Sequence, residues 1–357
     1  MCNFVDMNKR AVSICALLLL ALLPLSCKET ERGQAVQDTI PESGEPGILD
    51  GAKYVGRMEL ADPFIFVDRT DSLYYLFGTG SADKGFKAYI SRDLQRWIQA
   101  DGKAAERFAL HKNDVTVVSD GITYSDNNFW APELYKVGDR RYLMFYTASE
   151  HIYVAEADSP CGPFRQRSTG FAPSACSIDN TLFIDDDGRA YMYWVLFDWG
   201  NVIYAAELEP SLDAIKEGTL AFCFRATQDW ELVMESVNEG PGVFKHNGLY
   251  YMVYSGNHYY SQDYGVGVAT ATSPLGPWTK YPDNPILCKP GSLVGTGHCS
   301  VFTDLEGNLK MVFHAHYSDS RINPRQTYIT DLSFERVDGV DKLVASPSYS
   351  GCYLYRK

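Results

Sequence analysis

Short apolar and aromatic runs, broken at regular intervals by turn-forming pairs, fill the chain from Tyr54 onward. Alternating apolar and polar positions bounded by pairs such as Asp187-Gly188 and Asn247-Gly248 predict β-strands joined by hairpins. Helical periodicity is nearly absent, and the pattern predicts one short helix over residues 212–217. The chain is therefore expected to be all-β.

The strand pattern repeats five times, and each repeat begins with a polar head directly before an apolar strand. The heads are Asp62, Trp130 to Glu133, Asp179, Glu239 and His298. After each head come a hairpin turn and further strands, so each repeat indicates a four-stranded antiparallel meander. Such a unit cannot bury both faces alone, whereas five stacked radially can. The pattern predicts a five-bladed β-propeller with four-stranded antiparallel blades around a central channel.

The first strand of each propeller blade lines the central channel, so the heads converge at one end of it. Asp62, Asp179, Glu239 and His298, distant in sequence, are then expected to surround one pocket. A β-sandwich with many insertions is the alternative fold. It would not place a polar head at the same point of every repeat.

Three carboxylates and a histidine allow two kinds of site. They could bind calcium or a transition metal. Alternatively, one carboxylic acid protonates a glycosidic oxygen, another carboxylate activates water, and the third raises the pKa of the acid. Aromatic residues favour a sugar, since sugar rings stack on aromatic faces. Phe129 and Trp130 lie beside a head and are the expected sugar contacts, whereas Phe64, Trp194 and Trp199 are expected mainly to pack within blades.

Two other clusters are expected to be structural. Asp185 to Asp187 lie on a predicted hairpin tip away from the heads, which is typical of turn residues. His314 and His316 share one face of a predicted strand, a spacing suited to a metal, but packing or solvent contact is the favoured interpretation.

The composition narrows the classes of partner. The chain has 357 residues, 45% of them hydrophobic, and can bury a large core. Its formal net charge of −13 argues against nucleic acid as a partner, because phosphates need a basic surface. A neutral substrate fits this balance.

The N-terminal residues indicate export. Lys9 and Arg10 precede an apolar run that ends at Pro24-Leu25-Ser26-Cys27, which resembles a bacterial lipoprotein box. We expect residues 1–27 to be a signal peptide ending at a lipid-carrying Cys27, residues 28–50 to be a flexible tether, and residues 51–357 to be a single propeller domain. The alternative is an ordinary secretory signal with an incidental cysteine. A lipid anchor would place the protein at the outer membrane, facing the periplasm or the cell surface.

The remaining cysteines are scattered, without the paired spacing of a metal cluster. Disulfides in an oxidising compartment and buried free thiols both remain open for them. These residues are Cys161, Cys176, Cys223, Cys288, Cys299 and Cys352.

Five motifs in order make the chain similar to glycoside hydrolase family 43, over essentially everything after the tether. They are Ala61-Asp62-Pro63, Trp130-Ala131-Pro132-Glu133, Ser177-Ile178-Asp179, Glu239-Gly240-Pro241 and Gly295-Thr296-Gly297-His298. The resemblance implies a five-bladed propeller of inverting glycosidases that act on arabinose- and xylose-containing plant polysaccharides, with some members acting on galactan. Asn180, where many members have proline, and a tail without the acidic Asp-Gly-Trp-Pro run leave the subfamily open.

The resemblance also implies the roles of individual residues. Asp62 would be the general base, Glu239 the general acid, and Asp179 the residue that tunes the pKa of the acid. Trp130 would wall the sugar pocket and Arg325 would contact the sugar or the acid. His298 would contact substrate or hold a structural calcium ion in the channel through water, and no other cofactor is expected.

We therefore expect a monomeric hydrolase that removes terminal arabinosyl or xylosyl groups from plant oligo- or polysaccharides with inversion. An endo-acting arabinanase or xylanase, a galactan-acting member and a noncatalytic glycan-binding lipoprotein are the alternatives.

Overall fold

The computed structural model describes residues 47–100, 107–119, 122–167, 171 and 176–357. Its strands form five antiparallel blades around a central channel, which confirms the predicted five-bladed β-propeller. The predicted signal peptide, Cys27 and most of the tether lie outside the described residues.

Blades II to V each contain four strands that follow one another from the channel outward. In blade II these are Trp130–Gly138, Arg141–Ala148, His151–Ala157 and Arg165–Gln166. In blade III they are Ser177–Ile184, Ala190–Phe197, Asn201–Glu207 and Ala221–Phe224. In blade IV they are Asn238–His246, Leu249–Gly256, Gly265–Ala271 and Thr279–Lys280. In blade V they are Gly297–Thr303, Leu309–Ala315, Gln326–Val337 and Val340–Gly351.

Blade I closes the ring with both ends of the folded chain. Its own four strands are Ala61–Asp68, Leu73–Thr79, Tyr89–Ser91 and Arg96–Gln99. The C-terminal strand Tyr353–Arg356 adds to its outer edge in parallel, and Lys53–Arg57 then pairs antiparallel with that strand. The outermost backbone groups of blade I are thereby paired with chain from the two termini.

Short elements are inserted within blade I and between blades I and II. They are the two-stranded sheets Gly85–Phe86 with Leu110–His111 and Val117–Ser119 with Ile122–Tyr124, and the helix Lys112–Val115. A 3-10 helix, Asp229–Glu231, precedes blade IV. None of the helices in these described segments is long and apolar enough to cross a membrane.

The core lies between neighbouring blades rather than at one centre. The second strands are the most apolar because both of their faces are covered, as in Arg141–Ala148, where all residues but the first are buried. Phe145 and Trp194, for example, belong to one apolar cluster between blades II and III. The wedge-shaped space between blades is filled by large rings, which accounts for the aromatic content of the sequence.

Some expectations need correction or are now decided. Residues 212–217 form turns and an isolated bridge instead of a helix, because Leu212 and Ile215 pack individually against the cluster between blades II and III. Ile48 and Leu49, at the end of the predicted tether, pack against blade I. Asp185 to Asp187 lie at a hairpin turn, as predicted, where Asp185 and Asp186 pair with Lys245.

Both expected states of the cysteines, disulfides and buried free thiols, occur in the structure. Cys176 and Cys288 are disulfide-bonded. Cys223, Cys299 and Cys352 are buried free thiols.

The closure of blade I predicts that two neighbouring tyrosines contribute different amounts to the free energy of unfolding. Tyr353 is 3% exposed and Tyr54 is 43% exposed, although their rings meet in an edge contact with centroids 6.2 Å apart. Tyr353→Ala should lower the free energy of unfolding by ~3 kcal/mol, because a buried ring leaves a cavity. The matched Tyr54→Ala should cost less than ~1 kcal/mol, since its ring is half in solvent. Urea unfolding of both variants checks this, and equal losses would contradict the proposed closure.

Candidate active site

A β-bulge interrupts each inner strand after the first one or two residues that pair with the second strand. The register shifts lie between Ala61 and Phe64, Trp130 and Glu133, Ile178 and Thr181, Glu239 and Gly242, and Gly297 and Ser300. The first bulged residue has a positive φ in all five strands: Asp62 at 50°, Ala131 at 44°, Asp179 at 54°, Gly240 at 53° and His298 at 41°. Asp62, Asp179 and His298 therefore occupy one structural position repeated around the channel, and Ala131 and Gly240 hold that position in blades II and IV, directly after Trp130 and Glu239.

The bulge frees one backbone amide per blade, and the ring of blades satisfies these amides in turn. In four blades, the acceptor is a side chain at the end of the second strand of the preceding blade. Asp62 N–H donates to His314 Nδ1 (3.1 Å), Ala131 to Thr79 (3.0 Å), Asp179 to Thr147 (3.1 Å) and His298 to Ser255 (2.7 Å).

Blade IV departs from this pattern, and the departure lies in the site. The position equivalent to Thr79 is Val195, which cannot accept a hydrogen bond. The amide of Gly240 instead donates to Asp179 Oδ2 at 3.2 Å. A side chain in place of Gly240 would be crowded, because a Cβ at its φ of 53° would lie 3.1 Å from the imidazole of His298.

Three of the bulged residues, Asp62, Asp179 and His298, border a cavity of about 180 Å³ at this end of the channel. This is below the ~300–1,000 Å³ of pockets that hold drug-sized ligands, and it suits a single sugar ring. The lining residues are Asp62, Trp130, Ile178, Asp179, Glu239, Tyr259, His298 and Arg325. The structure thus brings together six of the seven residues predicted for the site.

Asp62 is surrounded by cationic and imidazole groups. Its Oδ1 accepts a hydrogen bond from Arg325 Nη1 at 3.1 Å and lies 3.4 Å from Nδ1 of both His298 and His314. Burial alone would raise the pKa of Asp62, but the Arg325 guanidinium, together with the two histidines, holds it well below its usual range. Asp62 is therefore a carboxylate at neutral pH.

Glu239 is held by two neutral donors. Tyr264 Oη–H donates to Oε1 at 2.9 Å, and Asn201 Nδ2–H donates to Oε2 at 2.8 Å. Burial raises the pKa of Glu239 to about 7, with the charge of Asp62 acting in the same direction, against the two hydrogen bonds that lower it. A carboxylic acid that keeps its proton near neutral pH is suited to donate it.

Asp179 forms a pair with Glu239. Burial, then the charge of Glu239 and that of Asp62, raise the pKa of Asp179 well above its ordinary value. Two buried carboxyl groups that interact this strongly release their protons as a pair rather than one by one. The pair therefore holds at least one proton across the neutral range, while Asp62 holds none.

His298 lies over this carboxyl pair, with Nδ1 at 3.7 Å from Asp179 Oδ2. Burial lowers the pKa of His298, so the imidazole is neutral. Among the residues that the structure describes, no three His, Cys, Asp or Glu side chains are arranged to hold a metal ion directly. A calcium ion held by His298 through water stays a prediction.

The aromatic residues divide between wall and core. Trp130 lines the cavity, as predicted. Phe129 does not: it is fully buried and stacks on Tyr146, because neighbouring residues of an extended chain point to opposite sides. Trp194 is also buried between blades, and Phe64 packs against Tyr135. Phe129 is thus a packing residue rather than a sugar contact.

Sequence reasoning missed several residues of the site. Tyr259 lies under the Arg325 guanidinium, 4.7 Å from its ring centroid, and walls the cavity. Asn201 and Tyr264 hold Glu239, and His314 holds the amide of Asp62. Most of them follow second strands, in turns at the same end of the blades as the heads. The predicted blade topology could therefore have indicated these residues, because the turns after the second strands lie at the same end as the heads.

Comparison with known proteins agrees with this geometry. The family model described as Glycosyl hydrolases family 43 matches residues 53–339. An endo-1,4-beta-xylanase from Bacteroides thetaiotaomicron VPI-5482 is 40% identical with a TM-score of 0.76, over 85% of this chain and 99% of that chain. A thermostable family-43 glycoside hydrolase is 33% identical with a TM-score of 0.70, over 81% of this chain and 93% of that chain.

Curated relatives are more distant. Beta-D-galactofuranosidase xynD of Aspergillus niger (strain ATCC MYA-4892 / CBS 513.88 / FGSC A1513) is 28% identical over 73% of this chain and 76% of its own length. Xylan 1,3-beta-xylosidase of Vibrio sp is 28% identical over 61% of this chain. The match covers only 40% of that relative, so the chain spans less than half of its length.

The raised pKa of Glu239 predicts a pH-dependent stability difference. Because the folded protein binds this proton more tightly than the unfolded chain, its contribution to stability is lost as the pH rises from the ordinary value of 4.5 through about 7. Glu239→Gln removes that loss. The free energy of unfolding of the variant, relative to wild type, should rise by roughly 1–3 kcal/mol between pH 5 and pH 8.

Urea unfolding at both pH values measures this difference. The exposed Glu335→Gln is the matched control and should leave the difference between variant and wild type constant. A Glu239→Gln difference that is also constant would show that the buried proton is not there.

Proposed function

The chain belongs to glycosyl hydrolase family 43, and from that premise we propose that it cleaves arabinosyl or xylosyl linkages of plant cell-wall polysaccharides with inversion. Asp62 is the general base, Glu239 the general acid and Asp179 the residue that keeps the acid protonated. The observation that carries these roles is the opposite direction of the pKa shifts of Asp62 and Glu239 in one cavity. Carboxyl groups whose environments separate their pKa values in this way are suited to be base and acid.

The proposed reaction is a single displacement. Asp62 accepts a proton from a water molecule as the water oxygen bonds to the anomeric carbon. The bond from that carbon to the leaving oxygen breaks as Glu239 donates its proton to this oxygen. Asp179 acts through its neighbour, since the two buried carboxyl groups release their protons as a pair, and its contact with the amide of Gly240 holds the strand that carries Glu239.

Arg325 and Tyr259 complete the base side of the cavity. The guanidinium keeps Asp62 ionised, and stacking on Tyr259 keeps the guanidinium in place. Trp130 supplies an apolar wall against which a sugar ring packs. The small cavity supports removal of one terminal sugar at a time.

One comparison favours a second candidate. The protein that is 40% identical is an endo-1,4-beta-xylanase, and internal cleavage of a xylan chain is the corresponding alternative. Chain-length analysis of early products separates the two modes. Single sugars support terminal removal, and mixed oligosaccharides support internal cleavage.

Loss of the acid and loss of the base should have different kinetic signatures. Glu239→Gln should lower kcat at least 100-fold on xylo- or arabino-oligosaccharides but far less on dinitrophenyl glycosides, whose leaving group needs no proton. Asp62→Asn should lower kcat at least 100-fold on both substrates, because both need activated water. Asparagine also tolerates the positive φ of this position, so the fold is retained.

Steady-state kinetics with both substrate classes checks this, and circular dichroism verifies the fold. Exposed Asp338, which also has a positive φ, gives the matched control Asp338→Asn, which should keep wild-type rates. Near-normal rates for either site variant would contradict the assigned roles. Absence of activity in the wild type would instead favour a glycan-binding protein.

We also propose that the protein is an outer-membrane lipoprotein anchored through Cys27. The motif at residues 24–27 supports this, and a carbohydrate substrate outside the cell fits it. Cells expressing the full chain should incorporate labelled palmitate into it, and Cys27→Ala should lose the label while remaining exported. Equal labelling of both proteins would contradict the anchor.

A further inference from the structure

The turn that follows the second strand of blade III carries the most exposed of the large hydrophobic side chains described. Trp199 is 87% exposed, within a three-residue loop between Phe197 and Asn201. Among the described residues, its ring contacts no other aromatic ring and its indole N–H donates no hydrogen bond. Trp199 therefore does not pack within a blade, although that was its expected role.

The backbone of Trp199 adds a second observation. Its φ is 51°, in the left-handed region that asparagine or glycine occupies at lower cost than a bulky residue. A tryptophan here costs backbone free energy and gains no packing in return. Residues held in such a state tend to serve a function rather than stability.

The turn itself is firmly held. Asp198 Oδ2 accepts hydrogen bonds from Arg225 Nη2 at 2.7 Å and from Tyr204 Oη at 3.3 Å. Asn201 N–H donates to the carbonyl of Ser236 at 3.0 Å. Gly200 approaches so closely that a Cβ there would lie 2.3 Å from the same carbonyl oxygen. The indole is thus an unpacked ring on a fixed base, which is the requirement for a stacking surface.

The turn also lies beside the proposed acid. Asn201, two residues after Trp199, donates its side-chain N–H to Glu239 Oε2 at 2.8 Å. A general acid faces the oxygen of the leaving group, so the turn borders the leaving-group side of the cavity. The facing segment that ends at Ser236 exposes further apolar side chains there, namely Leu232, Val233 and Met234.

We propose that Trp199 is a specificity-determining platform on which a sugar ring of the leaving group stacks. The preferred substrate is then an oligosaccharide with at least one ring beyond the cleaved bond. This inference rests on the proposed function, because it takes Glu239 as the proton donor. Trp199 touches only the leaving group, so the cavity for the cleaved sugar is unaffected by its loss.

The test compares two substrates of each sugar type. Xylotriose and 1,5-linked arabinotriose offer a ring to the platform, whereas the methyl xyloside and methyl arabinofuranoside release methanol, which has no ring. Trp199→Asn should lower kcat/KM on the trisaccharide that the wild type cleaves by about tenfold or more, and change the rate on the methyl glycoside by less than about twofold. Trp199→Phe should keep most of the trisaccharide activity, since a ring remains.

Thermal unfolding distinguishes a binding role from a structural one. Trp199→Asn should have an equal or higher Tm, because asparagine relieves the backbone cost. Tyr54→Asn, an exposed aromatic at the far edge of blade I, is the matched control and should change neither substrate ratio.

Each outcome decides the proposal. A lower Tm with equal loss on both substrates would make Trp199 structural and overturn the platform. Unchanged trisaccharide kinetics would overturn it while leaving the proposed function intact. A wild type that cleaves none of the four substrates would refute the proposed function, and the platform with it.

Discussion

The β-bulge at the start of each inner strand is the constraint on which the rest of the site depends. A regular strand would pair every backbone group and alternate its side chains between the faces of the blade. The bulge instead turns one residue per blade into the channel at positive φ, in five equivalent positions. Asp62, Asp179 and His298 placed there, with Glu239 directly before the bulged Gly240, meet in one small cavity although they are distant in sequence. The cost of five left-handed residues is offset by blades that pack on both faces.

The differences among those five positions produce the chemistry. Where Val195 replaces a hydroxyl or imidazole acceptor, the amide of Gly240 turns to Asp179 and draws the two raised carboxyl groups together. The guanidinium of Arg325 stabilises the charge of Asp62. Within one cavity, the surroundings of Glu239 and Asp179 therefore favour a proton and those of Asp62 favour a negative charge. The opposite pKa shifts therefore follow from residue differences among five structurally equivalent blades.

Much of this could be predicted from the sequence, for a physical reason. A polar head before an apolar strand recurs with the blade, so Asp62, Asp179, Glu239 and His298 were found from repetition alone. Tyr259, Asn201 and Tyr264 were missed because they lie in turns or at strand starts whose position depends on the pairing of second and third strands. Phe129 was misplaced because proximity in sequence to Trp130 does not decide which way a side chain points. The short helix over residues 212–217 failed because local apolar spacing was outweighed by packing between blades.

The central claim is that one cavity contains a base that activates water and an acid on the opposite face of the sugar. Proton NMR of the first-formed product tests it most directly, recorded during cleavage of an oligosaccharide before the free sugar equilibrates between its anomers. A single displacement predicts that the initial product has the anomeric configuration opposite to that of the cleaved bond. Initial release of the same configuration would contradict the account, because it would require a covalent intermediate on one of the carboxylates.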